Sequence, residues 1–95
     1  MACDYQRMAK ILKALSDPKR LKIVDMLSER ELCAGEILEF FQVSQPTLSH
    51  DMKLLIESGL IADRREGKRV IYTINADAVE SLLGTLREIT RDKSC

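Results

Sequence analysis

The segment from Val43 to Ile61 leaves this chain little choice of local structure. Ser44 is a hydroxyl placed to cap a helix start, and Pro46 follows in the first turn, where its missing N–H removes no hydrogen bond. Gly59 supplies the left-handed residue that ends a helix. Between these limits the helix is roughly 20 Å long at about 1.5 Å per residue. Leu48, Met52, Leu55 and Ile56 recur at helical spacing and are expected to face a core, whereas Gln45, Thr47, Ser49, His50 and Lys53 look elsewhere. Short donors and acceptors on an outward helix face suit the base edges of a major groove. Asp51 interrupts that row. It can accept from a cytosine amino group, repel a phosphate or face solvent, and solvent is the expectation.

The residues after this helix narrow the fold further. Leu60 to Arg65 and Arg69 to Ile74 read as two strands around the Gly-containing turn Glu66-Gly67-Lys68, a β-hairpin carrying Arg64, Arg65, Lys68 and Arg69 against Glu66 alone. A capped helix followed directly by a basic hairpin is the winged helix-turn-helix arrangement. The helix is then expected to present Gln45, Thr47, Ser49 and His50 to base edges, while Lys53, Arg64, Lys68 and Arg69 meet phosphates. The chain as a whole is neutral, with 15 basic and 15 acidic residues, so the local charge of the hairpin carries this reading. A compensating acidic surface away from DNA is expected to involve Glu29, Glu31, Glu36 and Glu39. A solvated hairpin and a surface histidine remain the plainer alternatives for the wing and for His50.

The remaining periodicities supply a scaffold. Tyr5, Met8, Leu12 and Leu15 lie on one face of a first helix, and Leu21, Val24 and Leu27 on one face of a second, with Ser16 and Pro18 at the boundary. A third helix from about Ala34 to Phe41 turns Ile37, Leu38 and Phe41 inward, and a short turn through Gln42 and Val43 leads into the next. A last helix from about Ala76 to Arg91 carries an apolar stripe of Val79, Leu82, Leu83, Leu86 and Ile89. Lying beyond the wing, this stripe reads as a dimer face shared with Tyr5, Met8 and Leu12, unless it folds onto its own domain. Gly84 within it suits close helix-to-helix approach. The expected fold is therefore mainly α, a winged helix-turn-helix of about five helices plus a two-stranded wing, in one domain over residues 1–95.

The chain resembles the ArsR/SmtB family of bacterial winged helix-turn-helix transcriptional repressors over about Met8 to Ala78. Ile11 to Ile23 is similar to the family's opening, Glu31 to Ile37 to its sensor-helix motif, and Ser44 to Ile61 to its recognition helix. The resemblance implies a homodimer that binds double-stranded operator DNA as an inverted repeat and leaves it when an inducer binds. Asp51 departs from the histidine or neutral polar residue that the family often carries there.

The family's arsenic-type sensor helix has two cysteines separated by one residue. Here only Cys33 matches, and Gly35 stands in place of the second. Arsenite or antimonite, As(III) or Sb(III), binds two or three thiolates, and other thiophilic metal ions also favour sulfur, so Cys33 needs partners. Cys3 and Cys95, near the two ends, are the candidates, as dimerisation can bring terminal segments across to a neighbour. A redox or persulfide switch of the same cysteines is the second reading, and no cysteine sensing the third. A zinc or nickel site on the terminal helix, known from other branches, is not expected, because Asp77 to Cys95 contains no histidine.

Several classes are excluded or disfavoured. The only histidine lies on the proposed DNA face, and no Gly-rich phosphate loop or nucleophile with a base in pattern exists, so the chain is not expected to be an enzyme. A winged-helix module that binds a protein partner is the rival from another class, although it should expose apolar rather than polar residues on that helix. Met1 to Gln6 lacks the apolar run of a signal peptide, and no apolar run is long enough for a membrane span. A cytoplasmic protein with reduced thiols and no membrane partner is the expectation.

Overall fold

The computed structural model describes residues 4–91. Its elements run α1 (Tyr5–Ala14), α2 (Pro18–Glu29), β1 (Leu32–Cys33), α3 (Ala34–Phe41), α4 (Gln45–Glu57), β2 (Ile61–Glu66), β3 (Arg69–Ile74) and α5 (Ala76–Thr90). Each of four helices begins on a polar side chain that satisfies otherwise orphaned amides. Asp4 accepts from Arg7 N–H at 3.0 Å, Asp17 from Lys19 and Arg20 N–H at 3.0 and 3.2 Å, Ser44 from Thr47 N–H at 3.3 Å, and Asn75 from Ala78 N–H at 3.3 Å. At the start of α3 the roles are reversed: the Glu36 carboxylate accepts from the Cys33 N–H at 3.0 Å.

The core is built from one face of each element. Met8, Ile11 and Ala14 of α1, Ile23 and Leu27 of α2, Ile37 of α3, and Leu48, Met52 and Leu55 of α4 are buried together with Leu60, Ile61 and Tyr72. The four apolar positions expected inside α4 are all packed in or against this cluster. On α1 and α2 the buried lines differ from the expected ones. Tyr5 and Leu12 are exposed, at 70% and 42%, because α1 lies on α4 along Met8, Ile11 and Ala14. Leu21 is 51% exposed, because α2 sits between α4 and β3 and buries Ile23 and Leu27 there.

The wing is part of a three-stranded antiparallel sheet in the order β1-β3-β2, rather than a two-stranded ribbon. The third strand, β1, is only two residues long and pairs Leu32 with Tyr72 and Cys33 with Ile71. Its brevity, directly against the start of α3, leaves no periodicity from which to recognise it. The hairpin itself closes with Glu66 paired to Arg69, so its loop is Gly67-Lys68 and Glu66 belongs to the strand. Gly67 takes φ +63° with Lys68 outside the left-handed region, the pattern of a II′ hairpin turn.

Two parts stand clear of the core. Residues 62–69 of the hairpin are exposed throughout, and α5 buries only Leu82 fully, with Val79 and Leu86 packed at the core's margin. The molecule measures 55 × 23 × 22 Å with a radius of gyration of 15.0 Å. A compact domain of this length has about 12 Å. A Cβ on Gly84 meets nothing within 4 Å, so no close helix approach within the protomer accounts for this glycine.

Candidate nucleic-acid interface and sensor cysteine

The outward face of α4 is polar and open. Gln45, Thr47, Ser49, His50 and Lys53 are all exposed, on a helix whose apolar side is fixed in the core. The turn before α4 is tight: Gln42 closes α3 in the left-handed region at φ 54° and ψ 41°, donating its N–H to Leu38 O at 2.8 Å. The Ser44 and Thr47 hydroxyls lie 2.8 Å apart, so Thr47 shares its oxygen with the cap.

Asp51 does not face solvent. It is 4% exposed, with Arg20 Nη1 donating to Oδ1 at 3.1 Å and Lys19 Nζ 2.7 Å from Oδ2. Its neighbour His50 points outward, while Asp51 turns towards the corner between α1 and α2, where the two cations neutralise it. Neither spacing nor composition signals a partner 31 residues away.

The wing cations divide into two sets. Arg64 is engaged: its Nη1 and Nη2 donate to the two oxygens of Glu31 at 2.9 and 2.8 Å, and its Nε donates to Glu66 at 2.8 Å. These bonds hold the Arg64 pKa above its usual value and the Glu31 pKa below its own. Glu31 thus lies against the wing, not on an acidic surface remote from it. Among the described residues Arg65, Lys68 and Arg69 form no ion pair, although all three are exposed. Arg69 stands near Cys33, and that neighbour first, then Glu36 and Glu66, holds the arginine's pKa above its usual value.

Cys33 is half-buried at the junction of β1 and α3. Through the Cys33–Ile71 pair it shares a sheet face with Arg64 and Arg69, since Ile71 pairs with Arg64 on its other side. The candidate thiol is therefore one strand from the wing. A Cβ at Gly35 lies 3.9 Å from Cys33 Sγ, so a second family thiol at that position would flank the first. Among the described residues no group of three His, Cys, Asp or Glu side chains is arranged to hold a metal ion. Cys33 alone does not fit a thiophilic centre, and Cys3 and Cys95 lie outside the described residues.

Of the proposed dimer-face residues, Met8 and Leu82 are buried within the protomer, while Tyr5, Leu12 and Leu83 are exposed and Val79, Leu86 and Ile89 are half-buried. The two helices do adjoin: Met8 and Ile11 face Ser81, Leu82 and Thr85 across a cleft.

The model of the family described as "Bacterial regulatory protein, arsR family" matches residues 17–63, from the Asp17 cap through the first residues of the wing. An arsenical resistance operon repressor of Staphylococcus xylosus is 46% identical over 93 residues, covering 97% of this chain and 89% of that protein. This chain belongs to the ArsR family of bacterial regulatory proteins. A cadmium resistance regulatory protein CadC homolog of Staphylococcus aureus is 40% identical, over 80% of this chain and 64% of that one. NolR from Sinorhizobium fredii superposes with a TM-score of 0.73 at 32% identity, over 92% of this chain and 87% of that one. ArsR membership makes the chain a winged-helix DNA-binding transcription regulator and not an enzyme. Among the described residues no helix is long and apolar enough to cross a membrane.

Proposed function

We propose that this ArsR-family chain acts as a homodimeric cytoplasmic repressor that binds an inverted repeat and is released by a thiophilic metalloid or metal, of the arsenite or antimonite type, at its cysteines. The observation that carries the proposal is the exposed polar row of α4 beside a wing whose strand β3 is paired with the cysteine-bearing β1. In the DNA complex Gln45, Thr47, Ser49 and His50 face base edges and Lys53, Lys68 and Arg69 face phosphates, while Arg64 stays with Glu31 and Glu66 and reaches phosphate only when those carboxylates are removed. Half-sites one helical turn apart, or a multiple of it, follow from two-fold symmetry. Tyr5, Leu12 and Leu83, with Val79, Leu86 and Ile89, supply apolar surface for the dimer contact.

Cys33 is the common element of the sensor, with Cys3 and Cys95 as its further thiols. Two of the most similar relatives are arsenical resistance operon repressors of Staphylococcus species, at 46% and 44% identity, which supports a metalloid inducer. The test is fluorescence anisotropy of the reduced protein on a labelled fragment upstream of its own gene, titrated with arsenite and repeated with Cys33→Ser, Cys3→Ser and Cys95→Ser. Salt-sensitive binding released by arsenite in the parent, but not in Cys33→Ser, is the expected result. Binding indifferent to arsenite would retain the repressor and reject the metalloid. Release by an oxidant or persulfide in its place would assign a thiol redox switch.

A further inference from the structure

We propose that Asp51 and Arg20 are positioning residues for operator recognition: a directional ion pair between them fixes the rotational setting of α4 against the α1–α2 corner. The proposal rests on family DNA binding by the outer face of α4 and assigns the pair no contact with DNA.

Arg20 joins three helices at one guanidinium. Its Nε donates to Ala14 O at 2.7 Å, its Nη2 to Lys13 O at 3.4 Å and its Nη1 to Asp51 Oδ1 at 3.1 Å. The first two acceptors are carbonyls at the end of α1, where Lys13 O already accepts from the Ser16 N–H at 3.1 Å and from the Ser16 hydroxyl at 2.6 Å. The Ala14 carbonyl is therefore the one that depends on Arg20, and a cation there complements the negative end of the helix dipole. Asp51 completes the set from α4, with the side chains of Arg20 and Asp51 only 14% and 6% exposed. Lys19 adds charge at Oδ2 through a 2.7 Å ion pair, but Oδ2 accepts no aligned hydrogen bond. Orientation therefore comes from the planar fork of Arg20.

Stability alone is a poor reason for such a pair, because the desolvation of two buried charges generally offsets their attraction, and apolar replacements are often as stable. Leu48, Met52 and Leu55 already bury α4, at 2%, 1% and 0% exposure. Apolar packing fixes which face of α4 lies inside, but it supplies no directional bond to hold small rotations of the helix about its axis. A rotation that kept these residues inside would still sweep Gln45, Ser49 and His50 across the groove. The fork resists that rotation. Base-edge hydrogen bonds depend on direction, whereas phosphate attraction is tolerant of it, so the two kinds of DNA binding should respond differently.

The test compares the parent with Arg20→Met/Asp51→Leu and with Arg20→Lys. Each protein is titrated onto a duplex selected by the parent from a random-sequence pool and onto an unrelated duplex of equal length, with urea unfolding alongside. The double variant is expected to remain folded, its urea midpoint lowered by no more than the loss of the Ala14 and Lys13 carbonyl bonds accounts for. Its preference for the selected duplex should fall about tenfold or more, with affinity for the unrelated duplex and its salt dependence unchanged. Arg20→Lys keeps the charge and loses the fork, and its preference should fall in the same way, which decides the matter if the double variant does not fold. A preserved preference in a folded variant, or equal loss on both duplexes, would overturn the proposal.

Discussion

Arg64 must choose between carboxylates and DNA, and the choice is measurable. Its guanidinium is held by two bonds to Glu31 and one to Glu66, all between 2.8 and 2.9 Å. All three side chains are about half exposed, at 45% for Arg64 and 54% for each glutamate, so solvent screens both pairs and neither contributes much to folding. The perturbation is Glu31→Gln/Glu66→Gln, made in the parent and again with Arg64→Gln. Removing the competing carboxylates frees one cation for phosphate. One additional phosphate contact steepens the slope of log K against log salt by about 0.9, so the variant should gain roughly 3.5-fold over the parent on going from about 200 to about 50 mM salt. Arg64→Gln should change the parent's slope little, but remove about 0.9 from that of the double variant. The assay is anisotropy on the selected duplex at four or five salt concentrations, with thermal unfolding to verify that each protein is folded. An unchanged slope in Glu31→Gln/Glu66→Gln would refute the competition. So would a drop of about 0.9 on Arg64→Gln in the parent, because Arg64 would then reach phosphate despite its carboxylates.

Glu36 has its pKa lowered, chiefly by the bond from the Cys33 N–H, then by the Cys33 side chain and by Arg30. A depressed carboxyl stabilises the fold above its unfolded value, near 4.5, and loses that contribution as pH falls through the folded pKa. The urea midpoint should accordingly fall more steeply with acid in the parent than in Glu36→Gln, and parallel acid limbs would show that the carboxylate is immaterial. Gly35→Cys places a second thiol beside Cys33, where a Cβ sits 3.9 Å from its sulfur. It should lower the arsenite concentration for half-release from DNA by at least about tenfold, since a second thiolate adds more than the about 1.4 kcal/mol that factor represents. No change in the anisotropy titration would place the inducer elsewhere. Leu55→Ala, at a fully buried position on the inner side of α4, should cost about 2–5 kcal/mol in urea unfolding, and a loss under about 1 kcal/mol would mean that the core relaxes around it.

The structure is legible in the sequence to the extent that its causes are local. Ser44, Pro46 and Gly59 mark the limits of α4, and Leu48, Met52 and Leu55 its inner face, because caps and helical spacing act over a few residues. The hairpin follows from its own alternation and from Gly67. Features that depend on partners far along the chain leave no such signal. Leu21 carries the same helical spacing as Leu27, yet only the placement of β3 and α4 around α2 decides that Ile23 lies inside. Strand β1 exists because Leu32 and Cys33 meet Tyr72 and Ile71, not because two residues prefer a strand. Asp51 reads as solvent-facing within the polar row of α4, and its burial depends on Arg20, which the α1–α2 turn delivers to it.

Those long-range pairings connect the DNA-facing elements to the rest of the molecule in two chemically different ways. The Arg20–Asp51 pair is buried and behind α4, so salt has little access to it. The Glu31–Arg64 pair is exposed and on the wing, where salt ions reach it and where, in the proposed complex, phosphate would compete for the same guanidinium. Raising salt should therefore weaken the grip of the wing on phosphate while leaving the orientation of the α4 face intact. Between them lies Cys33, paired to Ile71 in the middle strand of the wing and starting α3. A ligand that displaced β1 would act first on the wing, through the sheet, and on α4 only through α3 and the Gln42 turn. Loss of phosphate contacts ahead of loss of base preference is the order of events that this connectivity implies for release from DNA.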